Sequence, residues 1–141
     1  MASDANDFLR SMGIATSGLR AQAGRMRVIS ENIANADSTA ATPGGDPYRR
    51  KVPTFSSELD RSLDARTVAL GRIRPDNSAF RIKHDPGNPA ADAAGNVKYP
   101  NVNPLVEMTD MREAQRSYEA NLNIISATRR MIQRTLDILK A

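Results

Sequence analysis

Cysteine and tryptophan are absent from this sequence of 141 residues, and histidine occurs once, at His84. Without cysteine there can be no disulfide bond, no thiolate zinc site and no cysteine nucleophile. A single histidine leaves almost no material for a histidine-rich metal site or a Ser-His-Asp triad. Aromatic residues make up only 4% of the chain, so there is little of the bulk that usually fills a deep core. The composition therefore argues against an enzyme, and we expect no catalytic residue, no cofactor and no metal ion.

Long apolar runs are missing as well, because the longest are a few residues and a membrane-spanning helix needs about 20. The chain starts with a polar and acidic stretch, from which we expect no secretory signal peptide. Its length suits one domain and is too short for two comfortable ones. We therefore expect a protein that is not embedded in a membrane.

Positive charge is spread along the chain rather than concentrated, although the formal net charge is +4. The only dense basic run is Arg49-Arg50-Lys51, and no aromatic ladder accompanies it. A basic coiled-coil DNA-binding regulator, which is the main alternative function, would need a concentrated basic face. A monomeric lipid- or ligand-binding module would need an enclosed apolar pocket, for which the aromatic-poor middle offers little. We expect a solvated surface and no nucleic-acid partner.

Proline divides the chain into three segments, because all eight prolines lie between residues 43 and 104. Proline breaks helices, so its absence from both ends predicts one helix in 1–41 and a longer one in 103–141. Asn103-Pro104 would supply the N-cap and the first residue of the second helix. The Pro- and Gly-rich insert 42–102 is typical of turns and short strands. Strands are expected over 68–73, 80–83 and 97–99, and a helical turn within 54–66.

Mostly apolar residues recur in steps of three and four at both ends of the chain, which is the pattern of a coiled-coil seam. The N-terminal seam consists of Phe8, Met12, Ala15, Leu19, Gln22, Met26, Ile29 and Ile33. The C-terminal seam consists of Met108, Met111, Gln115, Tyr118, Leu122, Ile125, Arg129, Ile132, Leu136 and Leu139. We predict a mainly α fold, with N- and C-terminal helices paired as an antiparallel coiled coil and a small irregular or β insert between them.

A second apolar stripe lies off each seam. It consists of Ile14, Ala21 and Val28 in the first helix and of Ile124, Met131 and Ile138 in the second. Either the insert folds back over these positions, or they are tolerated surface residues, or neighbouring subunits cover them. The first helix also contains Gly13, Gly18 and Gly24. These glycines either leave the helix disordered until assembly or permit close approach of other elements.

Several stretches resemble the flagellar rod and hook proteins, the axial family of the bacterial flagellum. The broad family signature is carried by residues 17–22 and 25–38. Narrower stretches at 48–51, 85–92 and 99–108 resemble the proximal rod proteins of the FlgC type. Further matching positions are Met111, Glu113, Ala114, Arg116, Tyr118, Asn121 and the ending Arg134-Thr135-Leu136. The resemblance covers nearly the whole chain.

The resemblance implies a structural subunit of the proximal rod of the basal body, in the periplasm, exported without a Sec signal by the flagellar type III apparatus. Such a subunit polymerises, transmits torque and forms part of the wall of the export channel. The implied partners are other proximal rod proteins, the distal rod protein, the hook–basal-body adaptor and copies of the chain itself. The residues expected to carry assembly are Leu19, Met26, Ile29, Asn32, Ile33, Asn35, Tyr118, Leu122, Ile124, Ile125, Met131, Ile132, Leu136 and Ile138.

Overall fold

The computed structural model describes residues 2–140, and their side chains from residue 6 onward. Along the described residues, one long helix comes first, six short strands follow, and a second long helix comes last. The elements are α1 (Ala2–Ala34), β1 (Lys51–Val52), β2 (Phe55–Asp60), β3 (Ala65–Leu70), β4 (Arg74–Pro75), β5 (Arg81–His84), β6 (Asn96–Tyr99) and α2 (Pro104–Lys140). The predicted arrangement of two terminal helices around a small β insert is confirmed.

Both helix ends that face the insert are closed by asparagine. At the start of α2, Asn103 Oδ1 accepts a hydrogen bond from Leu105 N (3.1 Å) and Asn103 O accepts one from Glu107 N (3.1 Å), which confirms the predicted N-cap. At the end of α1, Asn35 Nδ2 donates to Glu31 O (2.9 Å) and Asn35 O accepts from Ser38 Oγ (2.9 Å). These bonds satisfy backbone groups that the last turn of a helix leaves open.

The strands form three separate antiparallel pairs within the described residues: β1 with β4, β2 with β3, and β5 with β6. The strands expected over 68–73, 80–83 and 97–99 overlap β3, β5 and β6. The expected helical turn within 54–66 is wrong, because β2 and β3 make a hairpin there. Asp60 closes its turn by accepting hydrogen bonds from Ser62 N (2.9 Å) and Ser62 Oγ (2.6 Å), and Asp64 adopts a φ of 45°.

The chain separates into two compact units. Unit 1 comprises Met1–Met26, Thr54–Arg72 and Glu113–Ala141, and unit 2 comprises Arg27–Pro53 and Ile73–Arg112. Each helix contributes residues to both units. Unit 1 buries small residues, namely Ala15, Ala21, Ala114 and Thr128. Unit 2 also buries larger ones, namely Val28, Ile29, Val97, Val102, Asn32 and Glu107.

The buried positions of α2 differ from the predicted seam at alternate positions. Four of the ten seam residues are partly buried, namely Met111, Tyr118, Ile125 and Ile132, and the other six are exposed. At four of the exposed positions, Met108, Gln115, Leu122 and Arg129, the residues one position earlier are buried or half-buried instead. Those residues are Glu107, Ala114, Asn121 and Thr128. Small and polar residues therefore complete the inward face of α2.

The off-seam stripe of α1 is largely covered by the chain itself. Ala21 and Val28 are buried, while Ile14 at the start of the stripe is exposed. Ala21 lies beside the β2–β3 hairpin in unit 1. Ala21 and Val28 are therefore buried within the single chain and need no neighbouring subunit to cover them.

Candidate assembly site

A buried polar cluster lies in unit 2, where the end of α1 approaches the start of α2. The side chains of Asn32 and Glu107 are each 1% exposed. Asn32 Nδ2 donates a hydrogen bond to Glu107 Oε2 across 3.0 Å. Burying a carboxylate is costly unless a positive group and hydrogen bonds accompany it, so the cluster needs a cation.

Arg50 is that cation. Its Nε donates to Glu107 Oε1 across 2.6 Å, and its guanidinium also lies 3.5 Å from Asp76 Oδ2 and 3.8 Å from Asp110 Oδ2. Partial burial opposes the charged form, but the hydrogen bond and charge of Glu107, followed by Asp76, raise the pKa of Arg50 above its ordinary value. Arg50 thus stays charged and joins Glu107 and Asp110 of α2 to Asp76 of the segment after β4.

The Asn32 amide takes the place of a neighbouring strand beside Lys51. Asn32 Oδ1 accepts from Lys51 N (2.9 Å) and from the Tyr48 hydroxyl (2.9 Å), and Asn32 Nδ2 donates to Lys51 O (2.8 Å). With the bond to Glu107, both donors and both acceptor positions of the amide are filled. Burial, and then the negative charges of Glu31 and Glu107, raise the pKa of Tyr48 to about 12.

Asn101 and Asp76 close the far side of the cluster. Asn101 Oδ1 accepts from Arg50 N (2.8 Å), and Asn101 Nδ2 donates to Asp76 O (3.0 Å) and Ser78 Oγ (2.8 Å). Hydrogen bonds from the Ser78 backbone and side chain, with the charge of Arg50, lower the pKa of Asp76. The cluster therefore binds α1, the segment before β1, the segment after β4 and α2 to one another.

The polar cluster gathers residues from three of the stretches that carry the family resemblance, 25–38, 48–51 and 99–108. Asn32 was among the predicted assembly residues. Tyr48, Arg50, Asp76, Asn101 and Glu107 were not. Hydrophobic periodicity does not detect charged residues in a core. The sequence feature that could have indicated these residues is the family resemblance at 48–51 and 99–108.

In unit 1 the three glycines of α1 lie where side chains of other elements approach. A Cβ at Gly18 would stand 2.8 Å from Asn121 Nδ2 of α2, and one at Gly24 would stand 2.7 Å from Leu70 Cδ2 of β3. A Cβ at Gly13 would overlap Leu63. These distances favour close approach as the role of the glycines. Nearby, Arg25 donates to Glu113 Oε2 of α2 across 3.5 Å.

The outer stripe of α2, defined as Ile124, Met131 and Ile138, is open to solvent, with 45%, 53% and 76% of these side chains exposed. Among the other predicted assembly residues, Leu122 and Leu136 are exposed, and Ile29 and Asn32 are buried. The remainder are half-buried, namely Leu19, Met26, Ile33, Asn35, Tyr118, Ile125 and Ile132. A row of large apolar side chains along one helix marks a surface that can associate with another.

Among the side chains of residues 6–140, no group of three or more His, Asp or Glu could hold a metal ion. Over the described residues, neither α1 nor α2 has an apolar window long enough to cross a bilayer.

Comparison with known proteins identifies the family. A family model described as flagella basal body rod protein matches residues 12–41, and one described as flagellar basal body rod FlgEFG protein C-terminal matches residues 93–138. Both describe rod proteins of the flagellum. The flagellar basal-body rod protein FlgC of Agrobacterium fabrum is 56% identical over 128 residues, which cover 91% of this chain and 92% of the relative.

More distant relatives agree. FlgC of Bacillus subtilis is 39% identical, covering 92% of this chain and 97% of its own, and FlgC of Salmonella typhimurium is 36% identical, covering 93% and 97%. The chain therefore belongs to the FlgC family of flagellar basal-body rod proteins. It is a structural rod subunit and not an enzyme, and the alternative of a DNA-binding regulator finds no support.

Proposed function

We propose that the chain is a subunit of the proximal rod that polymerises with other rod proteins and with copies of itself. In this position it transmits torque and forms part of the wall of the export channel. Its further neighbours are the distal rod protein and the hook–basal-body adaptor. It reaches the periplasm through the flagellar type III export apparatus. The exposed outer stripe of α2 is the observation that carries this proposal.

Burial of the outer stripe against neighbours would stabilise the assembled rod. Each large aliphatic or methionine side chain that leaves water contributes roughly 1.5–3 kcal/mol. These three residues are each close to half exposed or more in the single chain, so part of that free energy is still available for association. A stripe with a repeat of seven residues also suits packing against a second helix.

We further propose that α1 and α2 pair as an antiparallel coiled coil in the rod, with segments 1–41 and 103–141 as the helical part and 42–102 as the insert. Contacts inside each unit support this pairing. In unit 1, Gly18 lies beside Asn121 and Arg25 beside Glu113, so the residue number falls along one helix as it rises along the other. In unit 2, Asn32 contacts Glu107.

Fractionation of basal bodies tests the rod assignment. A tagged copy would be expressed in a flagellated host whose own gene for this subunit is deleted, and basal bodies would be purified with and without the hook. We expect the chain in both preparations, together with restored motility. A chain that stays outside purified basal bodies while the host remains non-motile would contradict the proposal.

A further inference from the structure

An open cleft of about 490 Å³ lies in unit 1 between α1 and the β2–β3 hairpin. We call it the hairpin cleft. On α1 its wall runs from Gly13 to Ala21, a length of about 12 Å at the helical rise of 1.5 Å per residue. Leu63, Val68 and Leu70 give it apolar surface from the hairpin. The hairpin cleft is thus a groove with an apolar component at the protein surface.

Two carboxylates stand on the hairpin side of the cleft. Glu58 and Asp60 are two residues apart on β2, so they point to the same face of the strand, about 6.7 Å from each other along it. The Glu58 side chain makes no hydrogen bond or ion pair within the described residues, and Asp60 bonds only to the turn at Ser62 and Leu63. Arg20 lines the α1 side, which leaves the cleft with one net negative charge.

The outer stripe of α2 has the complementary pattern. Arg130 and Arg134 are four residues apart, lie along the same side of the stripe around Met131, and are about 6 Å apart along the helix axis. Both are exposed and make no ion pair within residues 6–140. Successive members of the stripe are about 10.5 Å apart, which is within the length of the cleft.

We propose that the hairpin cleft binds the outer stripe of α2 from a second copy of the chain, which rests on the proposed role in the rod. Met131 of that copy lies against the apolar wall. Its Arg130 and Arg134 lie against Glu58 and Asp60 of the first. Because the two surfaces differ, the contact is head-to-tail, and a head-to-tail contact that does not close extends into a helical filament.

Charge exchange tests the contact. The variants Glu58→Arg and Arg134→Glu would each be expressed as the only copy in a motile host, and the amount in purified basal bodies would be measured by immunoblot. We expect each single change to lower incorporation about tenfold and the combined exchange to restore most of it. Glu119→Arg, an exposed reversal on α2 outside the cleft, is the matched control for Glu58→Arg and should incorporate normally. Circular dichroism would show that each variant folds.

Cysteine crosslinking identifies the occupant, because the native chain has no cysteine. One copy would carry Thr67→Cys in the cleft wall and a tagged second copy would carry Met131→Cys. We expect a disulfide-linked dimer of the two copies in the basal body and none when either variant is expressed alone. A crosslink to a different rod protein would overturn the proposal. A combined exchange whose incorporation into basal bodies is as low as that of the single variants would overturn it as well. Failure of the unmodified chain to enter basal bodies would instead contradict the rod assignment itself.

Discussion

Asn32 near the end of α1 donates a hydrogen bond to Glu107 in the first turn of α2, and both side chains are almost completely buried. One neutral amide and one carboxylate therefore share a site from which water is largely excluded. The carboxylate is offset by Arg50, while the amide supplies both donors and acceptors to its neighbours. Neither residue can change its charge or its hydrogen-bonding groups without leaving a buried polar atom unpaired.

Asn32→Asp should strongly destabilise the protein. The new carboxylate would lie next to Glu107 and could not donate to the Lys51 carbonyl. Disrupting a buried charge network of this kind costs about 3 kcal/mol or more, measured as the free energy of unfolding in urea. Asn103→Asp adds the same charge in the same unit but keeps the N-cap of α2, so it should cost less than about 0.5 kcal/mol. Equal stability of the two variants would contradict this account of the cluster.

High pH should weaken the folded state through Tyr48. Its pKa is raised from 10.0 to about 12, so at neutral pH the phenol is protonated in both states. As the pH rises past 10 the unfolded chain ionises first, and stability is lost until the folded phenol ionises near 12. Spectrophotometric titration should show a tyrosine that ionises near pH 12, and this transition should be absent from Tyr48→Phe.

The same variant separates the phenol from other groups that titrate in this range. Tyr48→Phe should lose about 1 kcal/mol of stability at neutral pH with its hydrogen bond to Asn32. Between about pH 10 and 12 its stability should fall less steeply than that of the native chain. Identical slopes would show that Tyr48 does not sense the cluster.

The sequence predicts the helices well because their determinants are local. Proline is absent from the interior of both helices, Asn103 caps α2, and apolar residues recur with a helical period. The same reasoning did not predict the β2–β3 hairpin. Leu59 and Leu63 are four residues apart, and this spacing was interpreted as one face of a helical turn. In the structure Leu59 is on β2 and Leu63 is in the turn that Asp60 closes.

The inward face of α2 could not be predicted from hydrophobicity. Glu107 is buried because Arg50 pairs with it, and Arg50 lies 57 residues away in the chain. Ala114 and Thr128 are buried, although their apolar surface is small and the larger Gln115 and Arg129 are their neighbours in sequence. Periodicity detects large apolar groups, whereas these positions are defined by long-range pairing and by close approach.

A disulfide between positions 18 and 121 should form within one subunit if the helices pair antiparallel in the rod. The place of a Cβ on Gly18 is occupied by the Asn121 amide, so Gly18→Cys combined with Asn121→Cys brings two thiols to bonding distance. Non-reducing electrophoresis of purified rods should show a monomer of altered mobility. Gly18→Cys with Asn123→Cys, which moves the second thiol around α2, is the control. Linkage only between subunits would indicate exchanged helices.

Ile124→Asp distinguishes the possible roles of the outer stripe. Ile124 is exposed in the single chain, so the change should alter its stability by no more than about 0.5 kcal/mol. In an assembled interface it would bury an unpaired charge, so the subunit should fail to enter the rod and the cells should lose motility. Ile124→Ala removes apolar contact without adding charge and should impair incorporation much less. Asn123→Asp places the same charge on the neighbouring exposed position and should be tolerated. If Ile124→Asp unfolds the isolated chain, the stripe is covered by the protein itself, and if it leaves motility intact, the stripe is not an assembly surface.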